Sequence, residues 1–119
     1  MLRATVELLK TLAEPTRLRL LYLLHRFGTI CVCDLMEITQ LPQYHISRHL
    51  ATLRKMGLVV DFRDGTRMNY QLAGDAALVL DLLTTLGPTL EEEQIIQEDR
   101  TRAREVLARR RGEKAAIAA

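Results

Sequence analysis

Apolar residues recur at helical spacing through most of the chain, and the pattern is broken at a few points by glycine and proline. Leu2, Val6, Leu9 and Ala13 fall three or four residues apart, which predicts an amphipathic helix over 2–13. Glu14-Pro15 ends it. Pro15 suits the first position of the next helix, where its missing N–H would be unpaired anyway. That helix runs to about Phe27 on Leu20, Leu21, Leu23 and Leu24, and Gly28 closes it. A short helix is expected at about Val32–Gln40 and a second at about Gln43–Met56, separated by Leu41-Pro42 and stopped by Gly57. Two short helices about a tight turn make a helix-turn-helix.

The period then changes. Leu58–Phe62 is rich in β-branched residues and Met68–Leu72 reads as extended, with Arg63-Asp64-Gly65-Thr66 between them. Asp-Gly between two such runs is a strong hairpin signal, so a wing of about 58–73 follows the helix-turn-helix of about 32–56. Beyond Gly74, Leu78, Leu82, Leu83 and Leu86 form one helical stripe, which Gly87-Pro88 should break. Thr89 and Glu92 have the spacing of a capping box, which predicts a new helix from there to about Arg111 and a frayed tail over 112–119. The fold class expected is therefore mainly α with a β-hairpin wing: a dimeric winged helix-turn-helix, one domain over 1–119, with the N-terminal and C-terminal helices available for dimerisation.

The 119 residues suffice for one domain with a modest core, which pairing with a second copy would enlarge. The net charge of +2 decides little, but its placement is informative. Arg48, Arg54, Lys55, Arg63 and Arg67 crowd the middle, and Glu91, Glu92, Glu93, Glu98 and Asp99 crowd a later stretch. A basic centre with an acidic flank fits a nucleic-acid face set apart from another surface. On a helical wheel of the second short helix, Ile46, Leu50 and Leu53 share the core face. Tyr44, Arg48, Ala51 and Lys55 oppose them, flanked by His45 and Ser47, with Gln43 at the helix start. Arginine pairs bidentately with guanine, serine reaches a base or a phosphate, and alanine packs on a thymine methyl. A solvated face would look similar on its own. The adjoining wing, with Arg63 and Arg67 beside flanking backbone, tips the reading to double-stranded DNA. His45 and His49 have metal-binding spacing but no thiol or carboxylate partner. His45 is read as a phosphate contact and His49 as a residue packing near the core.

The two cysteines, Cys31 and Cys33, cannot build a disulfide framework, and a direct bridge across one residue would be strained. A reduced, cytoplasmic setting is expected, with no membrane association: Arg3, Glu7 and Lys10 interrupt any leader-like run, and no apolar stretch is long enough to span a bilayer. Cys31 falls at an N-cap position, with Asp34 three residues on, and Cys33 falls in the first turn. A helix N-terminus favours thiolates, so both pKa values should be lowered, and the thiolate is the form that ligates soft ions. Residues i and i+2 of a regular helix point apart, so one ion should be gripped only if the first turn unwinds, which would pull on the helix supporting the recognition helix. A pair of inert core thiols is the plainer alternative.

Leu12-Ala-Glu-Pro-Thr-Arg-Leu-Arg-Leu-Leu, Cys31-Val-Cys-Asp-Leu, Ile46-Ser-Arg-His-Leu-Ala-Thr-Leu-Arg and Gly57-Leu-Val, in that order, resemble the ArsR/SmtB family of metalloregulators across roughly residues 5–74. The resemblance implies a homodimeric winged-helix repressor that leaves its operator when metal binds, with no cofactor required. The cysteine signature is similar to that of the arsenite and antimonite sensors and implies Cys31 and Cys33 as ligands for As(III) or Sb(III). Two departures stand out. Met36 occupies the place where such sensors often carry a third cysteine. Residues 75–90 hold no histidine, so the zinc-type site on the helix after the wing is unsupported. The rival functions are a thiol redox or persulfide sensor on the same fold and a winged-helix protein-interaction module that binds no DNA. An enzyme is not expected, since no nucleophile–base pair, phosphate loop or carboxylate pair stands out.

Overall fold

The computed structural model describes residues 1–118, with side-chain surroundings through residue 113. Helices α1 (Leu2–Leu12) and α2 (Pro15–Phe27) lead into a two-residue strand β1 (Ile30–Cys31), then α3 (Val32–Thr39) and α4 (Gln43–Lys55). Strands β2 (Val59–Asp64) and β3 (Arg67–Leu72) form the wing, followed by α5 (Ala77–Leu90) and α6 (Gln94–Ala118). Among the described residues no helix is long and apolar enough to cross a membrane.

The Glu14 side chain caps α2 by accepting from the Arg17 N–H at 2.8 Å, with Pro15 at the first position. Gln40, left-handed at φ 60, turns the chain out of α3 towards α4. Leu20 and Leu21 of α2, Leu35 and Ile38 of α3, Ile46, Leu50 and Leu53 of α4, Val59 of β2, and Val79 and Leu83 of α5 meet in one buried core. The helical wheel read for α4 is thus observed: its three apolar positions, Ile46, Leu50 and Leu53, are fully covered. The wing closes tightly, with Asp64 opposite Arg67 and only Gly65-Thr66 between them. Gly65, at φ 63, takes the first turn position, where a positive φ matches the twist of the strands. Strand β2 therefore reaches two residues nearer the tip, and β3 one, than the sequence pattern indicates.

Four features add to or change the pattern expected from sequence. First, β1 was not foreseen. It pairs antiparallel with β3, Ile30 opposite Tyr70 and Cys31 opposite Asn69, and makes a three-stranded sheet of order β1-β3-β2. Second, the α1 stripe of Leu2, Val6 and Leu9 faces solvent, while Leu8, Thr11 and Leu12 turn towards α2 and the core. Third, α5 runs through Gly87-Pro88 to Leu90, and Thr89 lies in its last turn instead of capping the next helix. Pro88 forfeits one backbone hydrogen bond, but the turn is held from outside. Leu90 is buried, and Glu91 accepts from the Tyr22 hydroxyl at 2.6 Å and from Arg100. The Tyr22 ring packs beside Gly87, its hydroxyl 3.7 Å from where a Cβ would stand, which is ordinary contact. Fourth, α6 continues past Gly112 to Ala118.

Of the acidic stretch, Glu92, Glu93 and Glu98 are exposed, Glu91 is partly so, and Asp99 is not. Asp99 is 1% exposed and receives both Nε and Nη2 of Arg19 at 2.8 Å. With Ile96, Ala103 and Val106 it lies on the α6 face that packs within this chain against α2 and α3.

Candidate thiol site and nucleic-acid interface

Strand β1 delivers Cys31 to the start of α3. Its backbone is extended (φ −80, ψ 157) because it still belongs to the sheet, and it occupies the N-cap without a cap hydrogen bond of ordinary geometry from its sulfur. Cys33 stands on the first turn of α3 and is exposed, whereas Cys31 is buried. The two sulfurs and a carboxylate oxygen of Asp34 all lie within 4.8 Å of one another. The helical-wheel objection to a shared ion does not apply, because Cys31 precedes the helix and no turn has to unwind to bring the thiols together.

The expected lowering of both pKa values is overturned at Cys31. Burial first, and its hydrogen bond with the Cys33 thiol second, push its thiol up to about 12 against a smaller opposing effect of the Asp34 amide N–H. Desolvation outweighs the helix terminus there. Cys31 is thus a protonated thiol near neutral pH. In native protein at pH 8, iodoacetamide should modify Cys33 at least roughly a hundredfold faster than Cys31, because the thiolate is the reactive form and only Cys33 is exposed. Peptide mass spectrometry over a time course checks this; equal rates would remove the asymmetry.

Helix α6 covers the site. Arg110 grips Asp34 as a fork, Nη2 to Oδ1 at 2.6 Å and Nε to Oδ2 at 3.1 Å, and Nη2 lies 3.9 Å from the Cys33 sulfur. Asp34 in turn pushes the Arg110 pKa up, chiefly through that hydrogen bond. Arg109 pairs with Glu37, and Arg102 donates to the Ile38 carbonyl at 2.6 Å. Three arginines of α6 therefore hold α3. Met36 is half-buried against the core.

On α4, Gln43, Tyr44, Arg48 and Lys55 are exposed, and His45 and Ser47 are partly so. Tyr44 retains 71% of its accessible surface, far more than a tyrosine with an intramolecular packing role. Arg63 and Arg67 are exposed near the wing tip. One cleft between α4 and the wing brings Gln43, Ser47, Arg63 and Arg67 together with Cys33 and Arg110. Tyr44, Arg48 and Lys55 lie outside it on the outer face of α4. Arg54 is committed to Asp61 at 2.8 Å and fastens α4 to β2. His49 is buried, accepts from the Arg17 Nε at 3.2 Å, and has its pKa lowered by burial, so it locks α4 to α2. Arg110 and β1 were missed from sequence; 76 residues separate Arg110 from Asp34.

A helix-turn-helix followed directly by a two-stranded hairpin defines a winged-helix protein. Residues 14–60 match the family model described as "Bacterial regulatory protein, arsR family". The chain is 44% identical over 68 residues to the "Arsenical resistance operon repressor" of Escherichia coli K12, covering 57% of this chain and 58% of that protein. The matched region thus spans little more than half of that relative's length. Among solved structures, the transcriptional regulator HlyU from Vibrio vulnificus CMCP6 superposes with a TM-score of 0.64 at 33% identity, covering 71% of this chain and 85% of that one. The "AntR antimony-specific transcriptional repressor" superposes with a TM-score of 0.61 at 32% identity, covering 75% and 81%. The chain belongs to the ArsR/SmtB family of regulators.

Proposed function

We propose that this chain is a metalloid-responsive transcriptional repressor. It binds operator DNA as a homodimer through α4 and the wing, and it lets go when As(III) or Sb(III) bonds to Cys31 and Cys33. The observation that carries the reading is the convergence of two sulfurs at a joint, where the strand paired with the wing becomes the helix that supports α4. Relatives named for arsenical resistance and antimony specificity support the class of inducer. The reaction is binding, not catalysis.

The chemistry suits Cys31 as a protonated thiol. Arsenous acid condenses with the two cysteines: two As–S bonds form, two As–O bonds break, and two waters leave with the thiol protons. One hydroxyl stays on arsenic and no oxidation state changes. Cys31 is fixed to Asn69 through the β-ladder and Cys33 to α3, so drawing both sulfurs onto one atom loads both the wing and the helix-turn-helix. Release follows if the bonded geometry is better satisfied in a conformation with low DNA affinity. The exposed apolar residues Leu2, Val6 and Leu9 of α1 and Leu78 of α5 (62% exposed) are those we assign to the partner subunit.

In the bound duplex, Gln43, Tyr44, Ser47 and Arg48 are assigned to the major groove. His45, Lys55, Arg63 and Arg67 are assigned to backbone or minor-groove contacts. Arg48→Ala should weaken binding to a duplex selected from random DNA by about 1–3 kcal/mol, if the arginine pairs with guanine. Unchanged affinity of the purified, folded variant would remove it as a reader. The function as a whole is tested by gel-shift titration of that complex against arsenite, antimonite, cadmium, lead and bismuth. Release by arsenite or antimonite is expected; release by none of the five would overturn the reading.

A further inference from the structure

The thiol pair has a third neighbour able to ligate, and that neighbour is already engaged. Asp34 is the remaining donor within 4.8 Å of both sulfurs, its side chain 5% exposed, and each of its oxygens accepts from Arg110. The same guanidinium reaches to 3.9 Å from the Cys33 sulfur. We propose that the Arg110–Asp34 pair is a specificity device, reserving the two thiols for a neutral, hydroxyl-bearing metalloid and excluding soft divalent cations. This deepens, and rests on, the thiol site proposed above.

Ion chemistry separates the two ligand classes. A soft divalent cation such as Cd²⁺ needs both sulfurs deprotonated and further ligands to complete its shell. The side chain in position to help is Asp34. Recruiting it breaks a largely buried, bidentate ion pair and leaves the guanidinium facing a dication, and removing one partner of such a pair is strongly unfavourable. Arsenous acid asks for none of this. It arrives neutral, takes two sulfurs, and keeps its own oxygen as third ligand, so Asp34 stays with Arg110. The retained hydroxyl oxygen is an acceptor, and a guanidinium beside one of the bonded sulfurs is a charged donor for it. Met36, where a third sulfur ligand would otherwise be sought, packs against the core and need not move.

Full-length wild type, Arg110→Met, Arg110→Lys and the double variant Arg110→Met/Asp34→Asn are titrated with sodium arsenite and with cadmium chloride. Thiolate-to-metal charge-transfer absorption is the readout, and circular dichroism confirms folding. Freed from Arg110, Asp34 becomes available to Cd²⁺. The ratio of arsenite to cadmium affinity should fall by about tenfold or more in Arg110→Met. It should fall less in Arg110→Lys, which keeps the charge and loses the fork, and the cadmium gain should vanish in the double variant. Arg110→Lys decides the matter should Arg110→Met not fold. An unmoved ratio in the folded arginine variants, with arsenite still bonded to both sulfurs, overturns the specificity role alone. Arsenite that binds wild type and a Cys33→Ser variant equally overturns the thiol site, and this inference with it.

Discussion

Cys31→Ser and Cys33→Ser should each abolish release from DNA by arsenite while leaving affinity for the duplex within about threefold of wild type, a change smaller than 1 kcal/mol. The sensing loss is expected to be complete because the soft ion bonds sulfur and discriminates against a serine hydroxyl. Neither cysteine lies in the exposed face of α4, so the groove contacts survive. Position 31 is also forgiving of the change. It is an N-cap in extended backbone, where serine is a preferred residue and cysteine is not. A better cap offsets the cost of burying a hydroxyl beside Ile30 and helps keep α3 intact. Fluorescence anisotropy of labelled duplex, with and without arsenite, reads both quantities. Variants that still dissociate like wild type would eliminate the thiols as the sensor.

Asp99→Ala should cost about 3–5 kcal/mol of stability, the range for removing one partner of a buried ion pair. Asp99 is 1% exposed and the Arg19 side chain 11%. Arg19 also donates to the Thr39 carbonyl at 3.0 Å, so the pair joins α2, the end of α3 and α6 at one point. Without the carboxylate the guanidinium stays in the interior with a single carbonyl for company, and Arg102, 3.6 Å from Asp99, adds like charge nearby. In a domain whose total stability is about 5–15 kcal/mol, such a loss takes a large fraction of it. Urea denaturation followed by circular dichroism checks it, with Asp99→Asn expected to lose less because it keeps an acceptor. A loss under about 1 kcal/mol would mean the pair is screened by water in solution.

The recognition helix and the wing were legible because their signals are local and redundant. Ile46, Leu50 and Leu53 repeat at helical spacing, β-branched residues bracket Asp64-Gly65, and glycine ends each run. Strand β1 was not legible: two residues are too few to show a period, and Ile30 and Cys31 are defined by their partners Tyr70 and Asn69 on the wing. That omission propagated. Reading Cys31 as an N-cap with no strand before it gives a terminus-lowered pKa and an unwinding turn, whereas its burial beside the sheet raises the pKa and makes unwinding unnecessary. The α5–α6 boundary misled for a related reason. Gly87-Pro88 is a break by local rules, yet Tyr22 and Arg100 hold Glu91 from two other helices and carry α5 past it. In α1 two apolar stripes compete, and periodicity alone does not tell which one faces this chain's own core. The thiols themselves were found by residue type and spacing, but Arg110, 76 positions beyond Asp34, is brought to them only by the packing of α6 on α3.

The most direct measurement is the Kd of wild-type protein for its selected duplex, taken before and after arsenite is shown by charge-transfer absorption to occupy both sulfurs. Weakening by roughly 5–150-fold is expected, the usual span of coupling between two sites. An unchanged Kd with both sulfurs bonded to arsenic would contradict the coupling between the thiol site and the DNA-binding face.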